Sequence, residues 1–160
     1  MVKWSSSWLP NSNPRPPASA IRRILVVGDK LVAGLLCDEL RAAGHDSFSA
    51  HSGLSGLITA VKRRPEVTLI DLALPDMDGI DLANSIRCNE ELDDMVLIAL
   101  SGNAKEQAYW ESRGVAIDRY LVKPIDLPQL ANLIQTTWRL TRKQPLGGKQ
   151  QFGHRNRSAG

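Results

Sequence analysis

Apolar and polar positions fall into alternating blocks between residues 21 and 140. Five short apolar runs stand out: Ile21–Val27, Asp46–Ala50 (the weakest), Val67–Asp71, Met95–Leu100 and Ile117–Val122. Strands covered on both faces read as near-continuous apolar runs rather than as strict alternation, so these runs predict a buried parallel sheet. The stretches between them carry a helical period. Leu31, Leu35, Leu36 and Leu40 mark one face of a helix over 31–43, with Gly44 just past its end. Leu54, Leu57, Ile58 and Val61 mark a second, closed by Arg63, Arg64 and Pro65. Further helices are expected at Ile80–Arg87, at Ala104–Arg113 and from Leu127 to about residue 140, the last with Asp126 as N-cap. Five strands alternating with five helices predict an α/β fold, a doubly wound five-stranded parallel sheet with helices on both faces. Right-handed crossovers and the order 2-1-3-4-5 are the common solution at this size.

Composition adds boundaries to this picture. Residues 1–20 are rich in Ser, Pro and Asn and lack periodicity, and the segment from 141 onward is polar and basic. Both read as disordered extensions flanking one domain over 21–140. Trp4 and Trp8 are unusual in such a segment. The formal net charge of +3 hides a split. Residues 1–23 carry +4 and residues 139–160 carry +6, with no acid in either; the remainder holds 10 basic and all 17 acidic residues, a net −7. An acidic body argues against a nucleic-acid-binding fold. No apolar stretch approaches the roughly 20 residues of a membrane span. Cys37 and Cys88 have no metal or redox spacing and read as reduced, partly buried thiols of a cytoplasmic protein.

The chemistry concentrates at the carboxyl ends of the predicted strands, where ligands of open α/β sheets bind. The first ends in Gly28-Asp29, the third in Asp71, the fourth in Ser101-Gly102 and the fifth in Lys123-Pro124. In the order 2-1-3-4-5 these tips are contiguous. Two carboxylates close together call for a cation, and oxygen ligands suit Mg²⁺. A carboxylate can also accept a phosphoryl group, whose oxygens need the donors that Lys123 and Ser101 offer. Singly, each residue has a plainer reading: Asp29 as a helix N-cap, Ser101 and Asp78-Gly79 as turn residues, Lys123 as a solvated charge.

The segments ILVVGD, LIDLALPDMDG, ALSG and YLVKP together resemble the receiver domain of two-component response regulators, across about residues 24–134. The resemblance implies a flavodoxin-like fold in a regulatory domain rather than an enzyme. It makes Asp71 the phosphoacceptor, with Asp29, Asp71 and the backbone carbonyl of Ala73 binding Mg²⁺. Lys123 is then the partner of the phosphoryl group, Ser101 the switch hydroxyl and Tyr120 an aromatic switch that turns inward on phosphorylation; packing alone is the other reading of Tyr120. The bond before Pro124 is expected to be cis. Ala73 and Asn103 flank the pocket where dephosphorylation is tuned, and an apolar Ala73 implies a long-lived phosphoryl group. A histidine kinase or phosphotransfer protein is the implied donor, and a downstream protein or fused domain the target; homodimerisation stays open. One departure stands out: the family's first acid at this tip is replaced by Gly28. That weakens the expected metal site and leaves a second reading open, a degenerate receiver acting as a phosphorylation-independent scaffold. A small-molecule enzyme of the same fold is disfavoured because no GxGxxG or P-loop follows any strand.

Overall fold

The computed structural model describes residues 21–115 and 117–142, with side chains described as far as Thr136. The expected extensions at 1–20 and 143–160, with Trp4 and Trp8, lie outside the described residues. Five strands form one parallel sheet: β1 (Arg23–Val27), β2 (Asp46–Ala50), β3 (Val67–Asp71), β4 (Val96–Ser101) and β5 (Arg119–Val122). Their order is β2-β1-β3-β4-β5, as expected. The helices are α1 (Lys30–Ala42), α2 (Gly53–Arg63), α3 (Gly79–Arg87), α4 (Ala104–Ser112) and α5 (Leu127–Arg142), with a 3-10 turn at Glu90–Leu92.

The central strands feed both faces of the sheet. Ile24, Val26, Leu69, Ile98 and Leu100 pack against α1 and α5, with Leu36, Leu40, Leu130 and Ile134. Leu25, Val27, Ile70 and Leu97 pack on the other face against Leu82, Ala83 and Ile86 of α3 and Ala60 of α2. Period-2 alternation therefore operates inside runs that look uniformly apolar. Each such buried side chain contributes about 1.5–3 kcal/mol.

Strand boundaries differ from the expectation at four points. β1 starts at Arg23, because Arg22 turns its guanidinium onto Glu66 Oε1 at 3.0 Å and Ile21 is exposed. β4 starts at Val96 and includes Ser101, and β5 starts only at Arg119. Asp118 is a connector residue whose Oδ2 takes the amide of Leu97 at 2.7 Å. α5 continues through Thr141 and Arg142, which the sequence placed in the tail. Asp126 begins it as expected, its carbonyl accepting the amide of Leu130.

The apolar faces of α1 and α2 differ more instructively. α1 buries Ala33, Leu36, Cys37 and Leu40, while Leu31 and Leu35 are 70% and 59% exposed. α2 buries Gly53, Gly56 and Ala60 and exposes Leu54, Ile58 and Val61. Small residues let these helices approach the sheet closely. A Cβ at Gly56 would lie 2.9 Å from both methyls of Val27. The large residues are thereby left on the outside. Cys37 is fully buried, and burial pushes its thiol pKa up; Cys88 is exposed, not partly buried.

Candidate functional site

Asp71 ends the central strand β3 and is 6% exposed. Its neighbours in the ladder are fixed: Val27 lies opposite Ile70 on β1, and Leu100 lies opposite Asp71 on β4. Leu121 pairs with Leu100 and Val122 with Ser101. The register thus brings the tips of β1, β3, β4 and β5 together. Lys123 Nζ donates to Asp71 Oδ2 at 2.6 Å. The amide of Ala73 donates to Asp71 Oδ1 at 3.0 Å. A nearly buried carboxyl group is therefore bonded through one oxygen to an ammonium and through the other to a backbone N–H. The peptide bond Lys123-Pro124 is cis, as expected.

Asp29 is the N-cap of α1. Its Oδ1 accepts the amides of Leu31 at 2.9 Å and Val32 at 3.4 Å. Both bonds fall on one oxygen. Gly28 lines the pocket directly, since a Cβ there would stand 3.2 Å from Asp71 Cβ and 3.7 Å from Asp71 Oδ2. Among the described residues no three Asp, Glu, His or Cys side chains converge as a metal cluster. The donors that remain are the two carboxylates and the carbonyl of Ala73, all hard oxygens. Mg²⁺ commonly binds through one or two carboxylates, phosphate oxygens and water, so this set fits it.

One expectation changes in detail. Ser101 is fully buried, and its hydroxyl donates to the carbonyl of Asn103 at 3.1 Å rather than to Asp71. Tyr120 is partly buried. Its ring packs beside Leu72, Ile80 and Ala99 with Trp110, Val115 and Ile117. Its hydroxyl oxygen is buried with no hydrogen-bond partner among the described residues, and burial, with a smaller contribution from Glu111, raises its pKa. Asn103 caps α4 by accepting the amide of Glu106 at 2.9 Å, and Asp78 caps α3 by accepting that of Ile80 at 2.9 Å.

The sequence reading missed Asp76. Its two carboxylate oxygens accept the amides of Gly53 at 2.7 Å and Leu54 at 3.0 Å, clamping the loop after β3 onto the N-terminus of α2. The partners lie more than twenty residues apart in sequence, so no local pattern announces them. The hydrogen bonds from Leu54 and Gly53 lower the Asp76 pKa from its usual 3.8. A carboxylate with a depressed folded pKa adds stability above its unfolded pKa and loses it as pH falls through the folded value. Asp76→Asn is therefore expected to melt at lower temperature than wild type at pH 7. The gap should narrow as pH falls below the usual 3.8 and through the lowered folded value, measured by thermal unfolding across acidic pH.

Fold and pocket together define a small α/β module with a nearly buried carboxyl group and a basic partner at its strand tips. The chain belongs to the response regulator receiver domain family, whose profile matches residues 24–135. Receiver domains are regulatory rather than enzymatic modules of two-component signalling, and their general function is a phosphorylation switch. Over 116 residues the chain is 27% identical to the polar-differentiation response regulator DivK of Brucella ovis, covering 72% of this chain and 94% of DivK. Over 128 residues it is 28% identical to the DNA-binding dual master transcriptional regulator RpaA of Synechocystis, covering 79% of this chain and about half (53%) of RpaA. Among solved structures, the receiver domain of sensor histidine kinase PA1611 from Pseudomonas aeruginosa matches with a TM-score of 0.65 at 26% identity, over 72% of this chain and 96% of that one. That structure holds a magnesium ion coordinated in its active site cleft. A sensor protein from Polaromonas matches with a TM-score of 0.68 at 30% identity, over 74% of this chain and 97% of that one. No helix among the described residues is long and apolar enough to cross a membrane.

Proposed function

We propose that this chain accepts a phosphoryl group on Asp71 from a histidine kinase or phosphotransfer protein and relays the change through protein–protein contacts. The observation that carries this reading is the near-buried Asp71 carboxylate held 2.6 Å from Lys123 at the tip of the central strand. An Asp71 oxygen forms the new bond to phosphorus as the donor's bond to phosphorus breaks, and the donor leaves with that electron pair. Lys123 balances the charge that the phosphoryl oxygens bring, and Ser101, once released from the carbonyl of Asn103, is the hydroxyl that hydrogen-bonds them. Mg²⁺, held by Asp29, Asp71 and the carbonyl of Ala73, supplies further charge neutralisation when bound.

The contacts have a candidate surface. Leu31, Val32 and Leu35 stand exposed on the first turns of α1, next to the Asp29 tip of the pocket. Large exposed apolar surfaces commonly mark interaction sites. A donor protein delivering to Asp71 would rest on what flanks it.

The test is incubation with acetyl phosphate and Mg²⁺, followed by intact mass measurement. A gain of one phosphoryl group is expected; no gain under saturating donor overturns the reading. The scaffold reading is favoured by Gly28, and the same measurement separates the two.

Gly28→Asp is expected to tighten Mg²⁺ by roughly tenfold, since it adds a negative charge against Asp71 at close range. Without metal the same change should lower the melting temperature through like-charge repulsion. Calorimetric titration and thermal unfolding with and without Mg²⁺ check both signs. Ala73 offers no polar side chain to orient an attacking water, so the phosphoryl group should persist well beyond seconds, followed by mass after donor removal.

A further inference from the structure

Three hydrogen bonds close the turn that follows β4. Ser101 Oγ donates to the carbonyl of Asn103 at 3.1 Å, the amide of Gly102 donates to Glu106 Oε2 at 2.6 Å, and the amide of Glu106 donates to Asn103 Oδ1 at 2.9 Å. The third is ordinary N-capping of α4. The second is not, because Gly102 precedes the N-cap and its amide is not one of the helix's unpaired donors. Glu106 therefore directs its carboxylate at a loop amide one residue past the pocket hydroxyl.

That amide belongs to the peptide unit linking Ser101 to Gly102, and the unit is held from both ends. Its carbonyl accepts the amide of Lys123 at 2.9 Å. Its N–H is held by Glu106. The Lys123 side is part of the sheet and stays; the Glu106 side is a side chain and can let go. Backbone N–H groups in turns beyond strand tips are natural anion donors, and this one already carries an anion, a carboxylate.

We propose that Glu106 is a positioning residue for phosphoryl acceptance, a latch that holds the Ser101–Gly102 turn in its resting conformation and opposes a second anion at Asp71. The proposal rests on the reading that Asp71 accepts the phosphoryl group. For Ser101 Oγ to reach a phosphoryl oxygen it must leave the carbonyl of Asn103, and the Gly102 amide serves one anion at a time. The second of these requires the contact between Glu106 and Gly102 to open. Glu106 thus sets how much of the phosphoryl group's interaction energy is used to turn the loop.

The experiment is titration of beryllofluoride in the presence of Mg²⁺ against wild type, Glu106→Gln, Glu106→Ala and Asp71→Asn, with the Gly102 amide followed by NMR. Glu106→Gln keeps the side chain's size and removes its charge, and beryllofluoride affinity is expected to rise at least about fivefold, the lower end of energetic coupling between sites. Glu106→Ala should show the same rise, and its Gly102 amide proton should move upfield before any beryllofluoride is added. A purely structural role would lower the melting temperature and leave the affinity ratio near one. Asp71-dependent binding with equal affinity in wild type and both Glu106 variants overturns the latch and leaves phosphoryl acceptance standing. Absence of Asp71-dependent binding in every variant overturns both.

Discussion

Asp71→Asn is expected to abolish phosphoryl uptake from acetyl phosphate while leaving the protein folded. Asn keeps the shape and an oxygen for the Ala73 amide, but its neutral amide is not a nucleophile at neutral pH. Four other carboxylates stand near the strand tips among the described residues, and each is engaged at a helix start: Asp29 on α1, Asp76 on α2, Asp78 on α3 and Glu106 on α4. Their charge complements the positive end of each helix and holds them in place. Asp71 is the one whose oxygens meet Lys123 instead, so the loss should be complete rather than partial. The stability change should stay within about 1 kcal/mol, because removing a buried charge relieves its desolvation while leaving only the partly exposed Lys123 without its partner. Intact mass and thermal unfolding of the two proteins check both halves. Residual uptake near the wild-type level would move the acceptor to another residue.

Much of this pocket was legible because its chemistry is written at strand ends. Asp71, Lys123, Ser101 and Asp29 each follow an apolar run, and a parallel sheet places such positions on one edge whatever the loops do. The helix faces were not legible in the same way. A reading that weights leucines picks Leu31 and Leu35 on α1, whereas the helix buries Ala33 and Cys37. Packing distance decided that, and it depends on the sheet rather than on α1. Long-range clamps were invisible for a related reason: Asp76 and Gly53 meet only after β2 and β3 have both paired with β1. Glu106 lay between these cases. The spacing of Asn103 and Glu106 is that of a capping box, but the carboxylate went to Gly102 instead of the N-cap amide. Tyr120 was recognisable as a residue of interest, and only its surroundings reveal a buried hydroxyl with no partner among the described residues.

The exposed leucines carry a consequence for how the fold serves signalling. Burying small residues on α1 and α2 gives up some apolar area in the core, since each large side chain turned outward forgoes about 1.5–3 kcal/mol of burial. The same choice leaves Leu31, Val32 and Leu35 beside the pocket, where an incoming protein can bury them. Under the proposed function, folding rests on the buried residues of α1 and recognition on its exposed ones, so interface affinity should respond to Leu31→Ala and Leu35→Ala far more than folding does.

Gly79→Ala should unfold the loop over the pocket, at a loss of roughly 2–3 kcal/mol as for overpacked sites. Gly79 opens α3, and its amide donates to the carbonyl of Leu72 at 3.0 Å while Ala73 pairs with Asp78. That folds residues 72–78 back across the end of β3. A Cβ at Gly79 would run into the carbonyl oxygen of Asp71 and the Cα of Leu72. Those are backbone atoms, which cannot rotate away as a flexible side chain would. Helix propensity pulls the other way, since Ala is favoured over Gly by about 1 kcal/mol in a helix interior. At a first helical position that gain is smaller still, so the clash wins. The loop carries Ala73, whose amide holds Asp71 Oδ1, so phosphoryl uptake should fall with stability. Gly34, within α1, is the internal control: a Cβ there meets nothing within 4 Å. Gly34→Ala should therefore raise stability by up to about 1 kcal/mol and leave uptake unchanged. Chemical denaturation of the two variants beside wild type reads the opposite signs directly, and equal effects would show that the close approach at Gly79 does not govern the loop.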